Sequence, residues 1–386
     1  MTSRIVLPRV LEVGAGASLR LAELLGSLGL ARPLIVTDAY MVASGVAERV
    51  TAPMAAASVP VEIFADTVED PTTDVIAAGL ARMADAPFDC VVGLGGGSPI
   101  DTAKALAVLY AHGGAMREYK APRQLDAPGL PIIAIPTTAG TGSEATRFTV
   151  VTDTQTDEKM LCAGLAFLPT AALVDYELTL TKPRRLTADT GIDALTHAIE
   201  AYVSRRANPF ADTMALAAMT SIARHIQTAC DEPQDRVARE AMMRAATQAG
   251  IAFSNSSVAL VHGMSRPIGA HFHVPHGLSN AMLLPLVTRW SASAALTRYA
   301  DCARAMGVAD ETEGDQSAVA KLIGWLEALN ARLNVPTMSQ FGMDEARYRR
   351  LIPLMVEQAI ASGSPGANPR VPAPSELAEL YEAAWA

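Results

Sequence analysis

The sequence of 386 residues predicts two domains, an N-terminal α/β domain built on a parallel sheet and an all-helical C-terminal domain. In the first half, short and almost continuously apolar runs alternate with amphipathic stretches, as in a parallel sheet that helices cover on both faces. Beyond about Pro183, strand signals become rare and helical periodicity takes over. We therefore place the domains at residues 1–182 and 183–386, and we expect a ligand cleft between them.

The individual elements follow from these patterns. In the first half, strands are predicted at 33–38, 61–64, 89–94 and 131–135, with helices at 19–28 and 74–84. In the second half, helices are predicted at 215–229, 236–253 and 376–385, the last of them capped by Ser375. Apolar residues at spacings of three and four predict one further helical face over 319–333.

Composition and charge exclude several classes of protein. Half of the residues are hydrophobic and 18% are charged, so the chain can bury a sizeable core and is not intrinsically disordered. A net charge of −9 without a basic stripe argues against nucleic-acid binding. The apolar runs are far shorter than the roughly 20 residues that span a bilayer, and no signal peptide is recognisable. Four scattered cysteines suit free thiols, so we expect a cytoplasmic protein.

A glycine-rich turn between a predicted strand and a predicted helix is typical of a phosphate site. It reads GLGGGSPID over residues 93–101, and the consecutive glycines at 95–97 would let the backbone approach a bulky anion closely. Ser98 is predicted to cap the helix, Pro99 to occupy its first position, and Asp101 to complete a capping box. Free N–H groups and the helix dipole would then bind a pyrophosphate. The alternative is a tight, well-capped turn that binds nothing.

Two other strand ends carry residues suited to a nucleotide, although the usual G-x-G-x-x-G fingerprint is absent. Asp38 ends a predicted strand, where its carboxylate could accept hydrogen bonds from a ribose and repel a 2′-phosphate, which favours NAD over NADP. The alternative for Asp38 is a simple turn former. Residues 136–144 (PTTAGTGSE) follow another strand and could bind a polar ligand, or Ser143 could cap the next helix.

Asp193 and three histidines form a candidate metal site in the second half. Asp193 and His197 stand four apart on a predicted helix and so share one face. His262 and His276 each precede a glycine in an apolar setting. One carboxylate oxygen with three imidazole nitrogens suits Fe²⁺ or Zn²⁺ and leaves positions open for a substrate. The alternatives are hydrogen-bonded core histidines and an ordinary helical surface pair.

These segments resemble the iron-containing, group III alcohol dehydrogenases. The motifs that carry the resemblance are GGGSPIDTAKA, PTTAGTGSE, GIDALTHAIEAY and HGMSRPIGAHFHVPHGLSNAMLLP, and the likeness runs over essentially the whole chain. It implies a dehydroquinate synthase-like architecture, with a Rossmann-like domain that binds NAD and a helical domain that holds the metal. It also implies an oxidoreductase that interconverts a primary alcohol and its aldehyde by hydride transfer, and a homo-oligomer of two or more copies.

The resemblance assigns roles to individual residues. The metal ligands would be Asp193, His197, His262 and His276, while Phe148 would lie near the substrate. The residues of the cofactor site would be Asp38, Gly95, Gly96, Gly97, Ser98, Asp101, Thr137, Thr138, Thr141, Val150 and Lys159. The metal would lower the pKa of the substrate hydroxyl, and hydride would pass to C4 of the nicotinamide.

Arg266 departs from the family pattern, because many members carry a histidine four residues after the third ligand. A permanently charged guanidinium there could pair with a substrate carboxylate or phosphonate, which would favour an ω-hydroxy acid or its semialdehyde. The alternative is an arginine held by a nearby acidic side chain. His271 and His273 are candidate relay groups or surface residues. Other functions open at this point are a maleylacetate-reductase-like or other short-acid reductase, a dehydroquinate-synthase-like lyase, and a non-catalytic NAD-binding protein.

Overall fold

A computed structural model describes residues 2–84 and 86–385. The chain divides into two compact units. The α/β unit is Val6–Thr181, and the helical unit contains the described residues from Lys182 onward together with residues 2–5. The boundary between the two units falls between Thr181 and Lys182, one residue before the predicted boundary between residues 182 and 183.

The α/β unit is built on a six-stranded sheet whose strands are all parallel, in the order β1-β8-β5-β4-β2-β3. A separate antiparallel pair, β6 and β7, was not predicted. The four predicted strands all form, each end lying within two residues of its expected place. The strands are β1 (Val10–Val13), β2 (Pro33–Val36), β3 (Glu62–Phe64), β4 (Cys90–Gly95), β5 (Ile132–Pro136), β6 (Phe148–Asp153), β7 (Glu158–Ala163) and β8 (Ala171–Val174).

Helices cover both faces of this sheet. Alternate strand residues enter opposite cores, since Val91 packs into one apolar cluster with Leu106, and its neighbour Val92 packs into the other with Leu25. This arrangement explains why the strands are apolar without alternation, and the parallel α/β fold is confirmed. The helices are α1 (Leu21–Leu28), α2 (Ala39–Ala43), α3 (Val46–Ala56), α4 (Thr73–Ala84) and α5 (Gly97–His112).

The helical unit has the predicted all-helical character. The expected helices all form, and most extend a few residues further than their apolar pattern. They are α6 (Arg184–Val203), α7 (Pro209–Asp231), α8 (Arg236–Asn255), α9 (Leu260–Phe272), α10 (His276–Ser291), α11 (Leu296–Ala305), α12 (Asp315–Arg332), α13 (Glu345–Ala361) and α14 (Pro374–Ala384).

Two predicted helix caps are wrong. Helix α5 begins at Gly97, so Gly96 holds the capping position without a side-chain bond and Ser98 lies inside the first turn. Helix α14 begins at Pro374, one residue before the expected cap Ser375. In both cases the helix starts earlier than the serine. Pro374 suits the first position of α14 because its ring already fixes φ near the helical value, and Gly97 enters α5 without a side chain that could clash.

The four cysteines are free and buried. Burial raises the pKa of the Cys162 thiol to about 12 and that of Cys230 to about 11, so neither is a reactive thiolate near neutral pH. Among the described residues, no helix is both long enough and apolar enough to cross a membrane.

Candidate active site

Helix α6 supplies two members of the candidate metal site. Asp193 and His197 lie one turn apart on a face of α6 that is buried in the helical unit. The imidazole of His197 stacks on Phe253 with ring centroids 4.3 Å apart, and on His262 at 4.4 Å. These contacts fix the plane of the His197 ring and surround it with apolar or aromatic groups.

Two histidines that precede a glycine complete the group. His262 is the third residue of α9, and His276 is the first residue of α10. A Cβ atom on Gly263 would lie 2.7 Å from Cγ of Pro365, and one on Gly277 would lie 2.5 Å from the carbonyl oxygen of Asp189. Each glycine therefore lets the backbone beside a histidine pack more closely than any other residue would allow.

The four side chains bring their donor atoms together. One atom from each of Asp193, His197, His262 and His276 lies within 4.8 Å of all the others. Oδ1 of Asp193 is 3.9, 3.6 and 3.7 Å from Nε2 of the three histidines in that order. Ligands about 2.1 Å from a common ion lie about 3–4 Å apart, so the spacing fits one divalent ion. Three imidazoles and a carboxylate suit iron or zinc.

The charges of the site are consistent with a cation at its centre. Burial would raise the pKa of Asp193, but the three histidines together outweigh burial, His197 most strongly, and hold that pKa below its usual range. Burial by itself would lower the pKa of His262. The carboxylates of Glu200 and Asp193 outweigh burial, so the pKa of His262 lies above its usual value. Asp193 is thus ionised at neutral pH, as a metal ligand must be.

Glu200 contacts this site and was missed in the sequence. It follows His197 by three residues on α6 and is almost fully buried. Its carboxylate accepts a hydrogen bond from Nδ1 of His262 at 2.6 Å and from the backbone N–H groups of Ala259 at 2.8 Å and Val261 at 2.6 Å. The available signal was its spacing, since positions 193, 197 and 200 share one helical face.

Asn280 was also missed, although it lies one turn after His276 on α10. Its Nδ2 atom is 2.7 Å from Oδ1 of Asp193, 3.1 Å from Nε2 of His262 and 3.3 Å from Nε2 of His276. The side chain is fully buried. The amide therefore contacts three of the four candidate ligands.

The other polar residues of α9 lie outside the metal cluster. Nη1 of Arg266 donates a hydrogen bond to Oγ of Ser364 at 2.7 Å, and among the described residues no carboxylate oxygen lies within 4.0 Å of its guanidinium. The alternative of a direct ion pair with an acidic side chain is therefore not found among these residues. Burial lowers the pKa of Arg266 to about 10, and the carboxylate of Glu200 offsets part of that effect. His271 bonds Oε1 of Gln358, and the exposed His273 ends the helix.

In the α/β unit, the glycine-rich turn lies against the threonine-rich loop. A Cβ atom on Gly97 would lie 3.1 Å from Cγ2 of Thr141, and one on Gly96 would lie 3.5 Å from Oγ1 of Thr138. The hydroxyls of Thr137 and Thr138 are buried and have no hydrogen-bond partner among the described residues. Unsatisfied hydroxyls beside a helix N-terminus, at the carboxyl ends of β4 and β5, fit a polar ligand such as a nucleotide.

Two buried charges on α5 support the next segment of chain. Asp101 does not complete a capping box, because its carboxylate accepts hydrogen bonds from Oγ of Ser143 at 2.5 Å and from the backbone N–H of Val150 at 2.9 Å. Lys104, which is fully buried and was not predicted, donates to Oγ of Ser143 at 2.9 Å and to the carbonyl of Phe148 at 2.7 Å. This pair fixes the start of β6, where Phe148 and Val150 occupy the partly exposed face.

The remaining predicted cofactor residues have partners within the protein. The carboxylate of Asp38 caps α2 by accepting the Met41 N–H at 2.8 Å, as expected of a turn former. Nζ of Lys159 on β7 forms an ion pair with Asp70 at 2.7 Å. A cofactor role for either residue stays a prediction.

Comparison with known proteins decides the family. One family model, described as iron-containing alcohol dehydrogenase, matches residues 8–176, and another, the C-terminal part of the same family, matches residues 187–385. The chain belongs to the iron-containing alcohol dehydrogenase family. The fold class, the family and the general reaction, oxidoreduction between alcohols and aldehydes, are thereby confirmed.

Individual members of the iron-containing alcohol dehydrogenase family match most of the chain. Long-chain-alcohol dehydrogenase 1 of Geobacillus thermodenitrificans is 37% identical over 391 residues, covering 100% of this chain and 97% of that protein. The bifunctional aldehyde-alcohol dehydrogenase of Escherichia coli is also 37% identical over 380 residues, which cover 91% of this chain but only 43% of that protein.

Solved structures also match the chain over its whole length. A crystal structure of 1,3-propanediol oxidoreductase superposes with a TM-score of 0.95 at 34% identity, covering all of both chains. Sulfoacetaldehyde reductase from Bifidobacterium kashiwanohense, solved in complex with NAD+, gives a TM-score of 0.88 at 28% identity over 100% of this chain and 99% of that one.

Proposed function

We propose that this protein interconverts primary alcohols and aldehydes with NAD as hydride carrier and a divalent iron ion held by Asp193, His197, His262 and His276. The observation that carries the proposal is the convergence of these four donors within 4.8 Å in a buried setting. Zn²⁺ suits the same ligands and is the competing metal. When bound, the ion would act as a Lewis acid toward the alcohol or aldehyde oxygen.

The protein's own residues hold the site ready for this chemistry. Asp193 stays ionised and would offset part of the charge of a bound ion, while the Phe253 ring stacked on His197 covers one face of that ligand. Burial of Asp193, His197 and His262 strengthens the electrostatic interactions among these three ligands.

NAD binding by the α/β unit is supported by groups that lack partners within the described chain. The hydroxyls of Thr137 and Thr138 would bond phosphate or nicotinamide-ribose groups, and the N-terminus of α5 would receive the pyrophosphate. The crystallised NAD+ complex of sulfoacetaldehyde reductase supports the same cofactor. Asp38 would select NAD over NADP, and Phe148 and Val150 would line the nicotinamide side.

The first experiment is anaerobic formation of NADH, followed by absorbance. Metal-stripped protein would be assayed with and without Fe²⁺ or Zn²⁺ on primary alcohols, diols and ω-hydroxy acids. We expect turnover only with metal, and a loss of at least about 100-fold in His276→Ala. The control is His225→Ala, which removes a histidine whose hydrogen bond among the described residues is to the Ser221 carbonyl of its own helix. Turnover without metal, or equal losses in both variants, would refute the metal-dependent reaction.

Arg266 points to an anionic group on the preferred substrate. Its guanidinium is half-buried, bonds the hydroxyl of Ser364 and forms no ion pair within 4.0 Å among the described residues, although the carboxylate of Glu200 is near enough to raise its pKa. The guanidinium could therefore still pair with a substrate carboxylate or phosphonate. We expect Arg266→His to lower kcat/KM for ω-hydroxy acids relative to simple alcohols by about tenfold or more. Arg349→His, at an exposed ion pair, is the control. If the ratio of the two kcat/KM values is unchanged, the proposal that the preferred substrate carries an anionic group is refuted.

We also propose that the protein works as a homo-oligomer of two or more copies in the cytoplasm. Four buried free cysteines suit a reducing compartment. Light scattering on the eluted protein measures the number of subunits, and a monomer at micromolar concentration would contradict the assembly.

A further inference from the structure

The carboxylate of Glu200 joins two helices at the metal site. It extends from α6, the helix of Asp193 and His197, and binds the first turn of α9, the helix of His262. Its three hydrogen bonds, to Nδ1 of His262 and to two backbone N–H groups, are all 2.6–2.8 Å long. The Glu200 side chain is 3% exposed, so no bulk water competes for these donors.

We propose that Glu200 is a positioning residue that sets both the tautomer and the place of His262. Both oxygens of Glu200 accept backbone N–H groups, so this side chain acts as an acceptor toward His262 as well, and Nδ1 of His262 carries the proton. Nε2 then presents its lone pair to Asp193 and His276, the neighbours that share the proposed metal. The inference rests on the proposed metal centre, and it assigns to Glu200 a role that neither the motifs nor the family resemblance supplied.

The same carboxylate fixes the backbone that carries His262. Helix α9 begins after Ala259 and has no side-chain cap of its own. Glu200 supplies the cap from α6 by accepting the N–H groups of Ala259 and Val261. The ligand and the start of its helix are therefore held by one group, and metal binding is expected to protect these two amides from hydrogen exchange.

Fixing the tautomer of His262 and capping α9 both require a carboxylate on a side chain as long as that of glutamate. Glutamine would direct an amide NH₂ at one of the three N–H donors, which leaves an unpaired buried group. Aspartate would keep the charge but withdraw it by one methylene, about 1.5 Å, which exceeds the tolerance of a hydrogen bond.

The test measures Zn²⁺ affinity of metal-stripped protein by competition with a chelator. We expect Glu200→Gln and Glu200→Asp to bind Zn²⁺ about 10–100-fold more weakly than the wild type. The matched control is Asp175→Asn, which alters another buried carboxylate that accepts N–H groups, those of Gly16 and Ser18, but contacts none of the candidate ligands. Its Zn²⁺ affinity should equal that of the wild type.

The outcomes separate this inference from the proposed function. A loss under tenfold in the Glu200 variants, or an equal loss in Asp175→Asn, overturns the positioning role while leaving the metal centre intact. A wild type that binds no Zn²⁺ refutes the metal centre itself. If Glu200→Gln fails to fold, the same tenfold threshold for the loss of Zn²⁺ affinity applies to Glu200→Asp.

A second measurement reports the tautomer directly. Two-bond ¹⁵N spectra of metal-free protein with labelled histidine, recorded at a pH where the His262 ring is neutral, should show His262 protonated at Nδ1 in the wild type. In Glu200→Gln, we expect a population protonated at Nε2 to appear. A wild-type His262 that already carries its proton on Nε2 would contradict the proposal, and so would identical spectra for the two proteins. Hydrogen exchange at Ala259 and Val261, with and without Zn²⁺, tests the link to the helix.

Discussion

Replacing Gly277 by alanine should disable the metal site by displacing His276. The new Cβ would lie 2.5 Å from the carbonyl oxygen of Asp189, whereas ordinary contacts begin at 3.4 Å. The obstacle is backbone within α6, which cannot rotate away as a side chain can. The start of α10 must therefore retreat by about 0.9 Å, the difference between these two distances. His276 is the adjacent residue and moves with it.

The expected losses follow from that displacement. Metal–ligand distances tolerate deviations of about 0.2 Å, so a shift several times larger removes His276 from the ligand group. We expect Zn²⁺ affinity to fall at least about tenfold and turnover about 100-fold. Overpacking should lower the free energy of unfolding of the metal-free protein by about 1–3 kcal/mol. Chelator competition, steady-state kinetics and urea unfolding measure the three quantities.

Gly324→Ala is the matched control for this prediction. Gly324 lies within α12 of the same unit, and a Cβ there would meet nothing within 4 Å. Alanine should raise the free energy of unfolding by about 0.5–1 kcal/mol, since it restricts the unfolded chain and favours helix, without changing metal affinity. Wild-type Zn²⁺ affinity in Gly277→Ala would show that the close approach to Asp189 does not place His276.

Three further predictions concern buried polar groups. Lys104→Met leaves Asp101 buried without its cation, so the free energy of unfolding at pH 7 should fall by about 3–5 kcal/mol; a loss below 1 kcal/mol in urea unfolding would contradict this. Burial lowers the pKa of Lys104 to about 8 in the folded protein, against 10.5 in the unfolded chain. Between these values the folded state binds fewer protons at this site, so the stability of the wild type relative to Lys104→Met should rise from pH 8 to pH 10, and a fall over that range would refute it. Asn280→Ala removes the hydrogen bond to Asp193, and Zn²⁺ affinity should drop about tenfold in the chelator titration; an unchanged affinity would leave Asn280 without a role in the ligand group.

The sequence predicted those parts of the fold that local patterns determine. The strands at the centre of the sheet are apolar on both faces and flanked by turn residues, so their runs are recognisable. The outer strand Val10–Val13 alternates between half-buried and exposed residues, and Ala171–Val174 is half alanine, so neither stood out. Strand β6 alternates half-buried and buried residues and, among the described strands, pairs only with β7, so it lacks the continuous apolar run of the central strands.

In the candidate site too, local sequence patterns revealed some residues, whereas others are recognisable only from their contacts in the folded protein. The four ligands were recognised because aspartate and histidine are distinctive residue types and their motifs resemble a known family. Glu200 and Lys104 were not, since their partners lie 59–62 and 39–44 residues further along the chain. Asp101 was assigned a local capping bond, but tertiary packing brings two other donors to its carboxylate, the hydroxyl of Ser143 and the backbone N–H of Val150.

On α6, the number of residues between the functional side chains matters as much as their identity. An α-helix turns by about 100° per residue, so Asp193, His197 and Glu200 lie at about 0°, 40° and −20° around the axis, within one narrow sector. Deleting any one residue between Asp193 and His197 would rotate the first ligand by about 100° relative to the other two groups while leaving every functional side chain in the sequence. A homologue with such a deletion would keep the complete set of residue types and lose the site.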